Sequence, residues 1–132
     1  MLTISKNIIN QIIAHSQKDF PNEACGYLAG NKKNVTYAYN LTNIDHSHEH
    51  FSFDPVEQFK TVKDARSKGL EILANYHSHP FSQARPSIED VRLAYDPEIS
   101  YVIISLVEKI PVVKSFRIID GKVEQEEIRI IE

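Results

Sequence analysis

At 132 residues the chain is long enough to bury roughly two-thirds of its unfolded surface as one domain, residues 1–132. A 42% hydrophobic, 25% charged composition is that of a soluble globular protein, and a net charge of −3 gives no footing for nucleic acid or a membrane. One cysteine excludes an intrachain disulfide and with it a disulfide-stapled secreted scaffold. In chain order, Ser5 is a candidate N-cap for a first helix in which Ile8, Ile9, Ile12 and Ile13 repeat at helical spacing to about Lys18. Lys6, Asn7, Asn10 and Gln11 interrupt what would otherwise be an apolar leader, and no run reaches the roughly 18–20 apolar residues of a membrane helix. The expected setting is cytoplasmic.

Ala24 to Ala29 reads as a buried strand and Gly30 to Asn34 as a turn, with Val35 to Leu41 pairing back as a hairpin. Phe51 and Phe53 are expected in a short strand that ends at Asp54-Pro55, where a second helix starts. That helix should turn Val56, Phe59 and Val62 inward and stop near Gly69. Leu70 to Tyr76 reads as the central strand, and Pro86-Ser87 opens a third helix with Val91, Leu93 and Ala94 as its apolar positions. Tyr101 to Val107 and Val112 to Ile119 are β-rich, Asp120-Gly121 is a hairpin signal, and Val123 to Ile131 is the returning strand. The fold class is α/β: a mixed central sheet flanked by about three helices. The final strand could edge-pair between chains, which leaves a homodimer open.

The chemistry concentrates in Asn75 to Asp90, where His77 and His79 close the central strand and Pro80 ends it. In a strand these two side chains share a face while Ser78 points away, with Cα atoms roughly 6.5–7 Å apart. Two imidazoles so placed can converge on one metal at about 2.0–2.1 Å, and Asp90 can join from the following helix. Two imidazoles and one carboxylate leave a fourth tetrahedral position for water, the composition of a catalytic zinc site. Iron or manganese would also accept this donor set.

Glu23, His77-Ser78-His79-Pro80 and Ser87-x-x-Asp90 together resemble the JAMM (MPN-plus) metalloprotease signature. Pro21 to Gly30 resembles the segment carrying that family's glutamate, and Ala84-Arg-Pro-Ser87 resembles its short prokaryotic members. The resemblance implies a JAMM fold related to that of cytidine deaminases, one zinc per chain on His77, His79 and Asp90, and Glu23 activating a zinc-bound water. It further implies hydrolysis of amide or isopeptide bonds after the C-terminal Gly-Gly of ubiquitin-like or sulfur-carrier proteins. Ser87 has two readings: an N-cap for the third helix, or a donor to the oxyanion of the tetrahedral intermediate.

Other readings compete. Glu23 could be a solvated loop carboxylate, and Asp90 could belong only to a capping interaction with Ser87. Cys25 could suggest a thiol nucleophile, but an apolar strand makes it a small buried hydrophobe, and Gly26 beside it allows close approach of backbone or substrate. His46, His48 and His50 could bind a second metal or form a polar exposed connector; His15 reads as surface. At the level of function, the alternatives are a non-catalytic MPN-type binding or scaffold module and a zinc hydrolase of another amide.

Overall fold

The structure is a computed structural model that describes residues 1–132. The elements in order are β1 (Leu2–Ser5), α1 (Lys6–Asp19), β2 (Cys25–Asn31), β3 (Asn34–Leu41), α2 (Pro55–Ser67), β4 (Glu71–His79), α3 (Ile88–Arg92), β5 (Ser100–Ser105), β6 (Val112–Ile119), β7 (Lys122–Glu126) and β8 (Ile128–Ile131). All eight strands join one mixed sheet in the order β7-β6-β5-β4-β2-β3-β1-β8, with three helices against it, as expected for the α/β class.

Alternation along the strands sorts side chains between two layers. On one face Leu28, Ala38, Ala74, Tyr76, Val102 and Ile104 pack with Ile8, Ile9 and Ile12 of α1 into the larger core. Helix α1 starts where Ser5 caps the amide of Ile8 at 3.3 Å. On the other face Tyr101, Ile103, Phe116 and Ile118 form a second cluster covered by Val91 and Ala94, the residues around α3. Residues 75, 77 and 79 of β4 belong to this second face. The sheet therefore presents the histidines away from α1, toward α2 and α3.

Several expectations need correction. The returning strand is two strands: only Glu127 separates β7 from β8, yet they occupy opposite ends of the strand order. The sheet curls around α1 until its edges meet at this corner, where the Leu2 amide donates to the Glu127 carbonyl at 3.0 Å. Strand β1 escaped a periodicity reading because four residues are too few to show one. Phe51 and Phe53 form no strand; Phe53 makes an isolated bridge to Asn43. The Asn43 side chain organises this connector instead, accepting from the amides of Asp45 and Ser52 and donating to the carbonyls of Glu23 and His50.

Helix α2 does not turn Val56 and Phe59 inward, since they are 62% and 70% exposed. Its buried residues are Thr61 and Ala65. Polar groups take part of the inward face: Gln58 donates to the Tyr27 hydroxyl at 2.6 Å and Asp64 accepts from Tyr39 at 2.6 Å. Aromatic hydroxyls on the sheet are the reason hydrophobicity misassigned this face. Leu93, expected as an apolar helix position, is likewise exposed at the end of α3. Gly26 is required by the fold, since a Cβ there would stand 2.1 Å from the Tyr39 carbonyl oxygen and 2.4 Å from the Tyr76 ring. The close approach is thus by β3 and Tyr76.

Candidate metal centre

Strand β4 carries His77 and His79 to its last residues because β2 pairs with it from Glu71 to His77 and β5 from Ala74 to His79. The connector after Pro80 then crosses to α3. There Ser87 accepts from the Asp90 amide at 3.0 Å and the Asp90 carboxylate accepts from the Ser87 amide at 2.9 Å. This reciprocal cap settles the local question for Ser87: its oxygen is a cap acceptor, and its O–H remains free to donate. The same cap turns Asp90 Oδ2 back over the strand.

Three ligand-type atoms then meet. His77 Nε2 and His79 Nε2 are 3.1 Å apart, and each lies 3.1 Å from Asp90 Oδ2. Ligands at about 2.0 Å from a tetrahedral zinc would be separated by roughly 3.3 Å, so the triangle already has nearly that edge. The donor chemistry also fits. The Gln83 carbonyl oxygen lies 2.9 Å from His79 Nδ1, which makes that nitrogen the donor and leaves Nε2 a lone pair directed at the triangle. His77 Nδ1 is buried without a partner, and Phe51 stacks on the His77 ring at 4.8 Å and 26°. Both imidazoles are buried, so the three groups can hold a metal ion.

In the bare ligand set Asp90 and His79 favour each other's charged forms. Burial works against the charged form of Asp90, but hydrogen bonds with both imidazoles outweigh it and hold the carboxyl far below the usual carboxylate range. Burial would also lower His79, yet its bonds to Asp90 and to the Gln83 carbonyl raise it overall. Glu23 behaves oppositely. Burial, then the charges of Asp90 and Glu89, push its carboxyl up to about 9.

The fold brings Glu23 to this centre through sheet register. Cys25 pairs with His77 across the β2–β4 ladder, and the Ser78 amide donates to the Ala24 carbonyl at 3.0 Å. Glu23 lies where the chain enters this pairing, near Asp90. Glu23 is only 3% exposed and its Oε1 has no hydrogen-bond partner, so it is no solvated loop carboxylate. Its amide is fixed by the Ser47 carbonyl at 2.8 Å.

The other candidates disperse. Cys25 is fully buried and burial pushes its thiol up to about 12, which argues against a nucleophile. His46, His48 and His50 are exposed and do not converge: His50 pairs with Asp45 at 2.9 Å and His48 with Glu49 at 3.2 Å. His15 is not a surface residue, since its Nδ1 lies 2.6 Å from the Tyr76 hydroxyl and its Nε2 lies 3.2 Å from Asp19. Phe51 and the Gln83 carbonyl, which orient the two imidazoles, escaped the sequence reading. Neither residue carries a motif, and only the folded connectors reveal them.

Beside the triangle, along the same face, opens a cleft of about 470 Å³ lined by Tyr27, Phe51, Phe53, Asn75, His77 and Tyr101 among others. Its lining mixes the rings of Tyr27, Phe51, Phe53, Tyr95 and Tyr101 with the carboxylates of Glu89, Asp90 and Asp96, and it includes Asn75, whose Oδ1 is unpartnered. No helix is long and apolar enough to cross a membrane.

Comparison with known proteins agrees with this geometry. A family model described as prokaryotic homologues of the JAB domain matches residues 5–119. The chain is 33% identical to the CysO-cysteine peptidase of Mycobacterium tuberculosis, over 100% of this chain and 92% of that protein. It is 31% identical to a desampylase of Haloferax volcanii, over 79% of this chain and 80% of that one. Among solved structures it resembles a protein from Desulfitobacterium hafniense with a TM-score of 0.92 and 49% identity, covering 100% of this chain and 94% of that chain.

Proposed function

The chain belongs to the family of prokaryotic homologues of the JAB domain, and from that premise we propose that it is a zinc-dependent amide hydrolase. Its substrate would be the bond joining the C-terminal Gly-Gly of a ubiquitin-like or sulfur-carrier protein to an amine. The observation that carries the reading is the triangle of His77, His79 and Asp90 with its 3.1 Å edges. When bound there, zinc supplies a Lewis acid for the scissile carbonyl and lowers the pKa of a water toward about 7.

The chain's own residues carry the remaining steps. Glu23 takes the proton of the attacking water as the new C–O bond forms, then returns it to the nitrogen as the C–N bond breaks. Its high proton affinity in the bare ligand set suits a group that must hold a proton. A nearby dication would draw that affinity back toward neutrality. Ser87 keeps a free O–H beside the site, which can donate to the oxyanion while its oxygen continues to cap α3. The cleft admits an extended tail, and glycines let its backbone lie against the aromatic rings of the lining without side-chain clash.

The relatives with known names support the substrate class, as one is a peptidase acting on a CysO-cysteine conjugate. We read residues 1–132 as one catalytic domain working in the cytoplasm, in keeping with a lone buried thiol. Exposed Val123, Ile130 and Ile131 on the two edge strands support a homodimer, which light scattering would check. The test of function is cleavage of Gly-Gly-tailed carrier conjugates by the zinc-loaded protein, with Glu23→Gln as control. Retained cleavage in the variant, or none with any conjugate by the wild type, would end the proposal.

A further inference from the structure

We propose that Asn75 sets the register of the carrier tail, its side-chain Nδ2 donating to the backbone carbonyl of the residue that precedes the terminal Gly-Gly. The inference rests on the carrier-amide reading above and deepens it, since it names the side chain that reads the acyl side of the bond.

Asn75 is a polar side chain left without a partner. From Ala74 to His79 it is the one residue of β4 that is not fully buried, and it lines the cleft beside His77 and Asp90. Its Oδ1 is turned inward and meets no donor, so the NH2 is the end that faces the cleft. Its register partners are Tyr27 on β2 and Tyr101 on β5. Both hydroxyls are engaged elsewhere. Tyr27 accepts from Gln58 at 2.6 Å; Tyr101 accepts from the Asp96 amide at 3.1 Å and donates to the Asp96 carbonyl at 2.8 Å. Buried side-chain amides are nearly always paired, and an orphaned one at a cleft calls for a partner from outside the chain.

Spacing names that partner. Asn75 stands one same-face step before His77, roughly 6.6 Å away at about 3.3 Å rise per residue. An extended tail repeats at the same pitch, and its successive carbonyls point alternately to opposite sides. With the scissile carbonyl at the ligand triangle, the next carbonyl pointing the same way lies two residues earlier, level with Asn75. In a Gly-Gly tail that carbonyl belongs to the residue before the pair. The carbonyl of the first glycine points away.

The surroundings make a side-chain donor necessary. Strand β4 is paired on both sides at Asn75, so its backbone N–H and C=O groups belong to the sheet ladders and a tail lying over the face is read by side chains. Glu89, Asp90 and Asp96 also line the cleft, and ionised carboxylates can only accept. Among them the Asn75 NH2 supplies the donor that a peptide carbonyl needs.

The test uses the zinc-loaded full chain and a Gly-Gly-tailed sulfur-carrier protein joined through an amide to a peptide amine, with KM, kcat and binding to Glu23→Gln all measured. Asn75→Leu should raise KM about tenfold and change kcat less than about twofold. Because no bond within the chain is lost, its zinc content and melting temperature should not fall below wild type. Asn75→Asp keeps the shape but loses the donor, and should be as poor as Asn75→Leu. A semisynthetic tail carrying a thioamide in place of the carbonyl before Gly-Gly should bind wild type several-fold more weakly, with Asn75→Leu indifferent to the change. An unchanged KM in Asn75→Leu, a KM near wild type in Asn75→Asp, or equal thioamide effects in wild type and Asn75→Leu overturn the register residue alone. They leave the carrier-amide reading standing. A melting temperature or zinc content well below wild type in Asn75→Leu assigns the side chain a structural role and overturns it too. Neither cleavage by wild type nor binding to Glu23→Gln removes the carrier-amide reading and the register residue together.

Discussion

Histidines alternate in two stretches of this chain, 46–50 and 77–79, and the two behave differently. In β4 an extended backbone sends His77 and His79 to one face, and their Nε2 atoms meet 3.1 Å apart. In the connector His46 takes a left-handed φ of 46°, the chain turns, and His48 and His50 each find a separate carboxylate. Spacing encodes convergence only when the backbone is a strand. Even then the set is incomplete until another element supplies a carboxylate, as α3 does with Asp90.

The comparison can be broken most directly through metal content. Wild-type protein should hold about one zinc per chain and Asp90→Ala almost none, while replacing His46, His48 and His50 together by alanine leaves the metal in place. Elemental analysis of untagged protein decides this, and equal zinc in wild type and Asp90→Ala would erase the distinction. The next largest effect falls on turnover. Glu23→Gln should retain its zinc and lose roughly 10²–10⁴-fold in cleavage, the contribution of a positioned acid–base group.

Removing the metal sharpens the contrast through pH. Glu23 has a folded pKa of about 9 against an ordinary 4.5, so its contribution to stability is full below 4.5 and is lost as pH rises toward 9. Chelated protein should therefore melt at lower temperature across that window as pH rises, and Glu23→Gln should flatten the slope. A slope unchanged in the variant would assign it elsewhere.

Smaller effects separate the supports of the two imidazoles. Phe51→Ala frees one face of the His77 ring and should weaken zinc binding about tenfold in a competition titration, by analogy with other groups that orient ligands. Ser87→Ala removes the α3 cap and should cost about 1 kcal/mol in denaturant unfolding. A cleavage defect much deeper than that loss would reveal the hydroxyl's second task at the oxyanion.

Much of this centre was legible in the residues. His77, Pro80, Ser87 and Asp90 declare a strand end, a crossing and a capped helix, each a local rule of backbone chemistry. The hairpin of β2 and β3 and the start of α1 at Ser5 were legible for the same reason. Illegible were the inward face of α2, where Gln58 and Asp64 answer sheet tyrosines, and the fate of the last strand. Both depend on partners far away in sequence.

What the sequence determined by itself was the identity and alternation of the candidate ligands, because strand geometry and helix capping act over a few residues. Tertiary structure alone decided that Glu23 is buried near Asp90, where the chain enters the β2–β4 pairing. It also decided that Phe51 stacks on His77 and that Phe20, His48 and Phe81 gather past the end of β4. Those neighbours are joined by sheet register and loop closure over long separations, and no local pattern encodes where such segments meet.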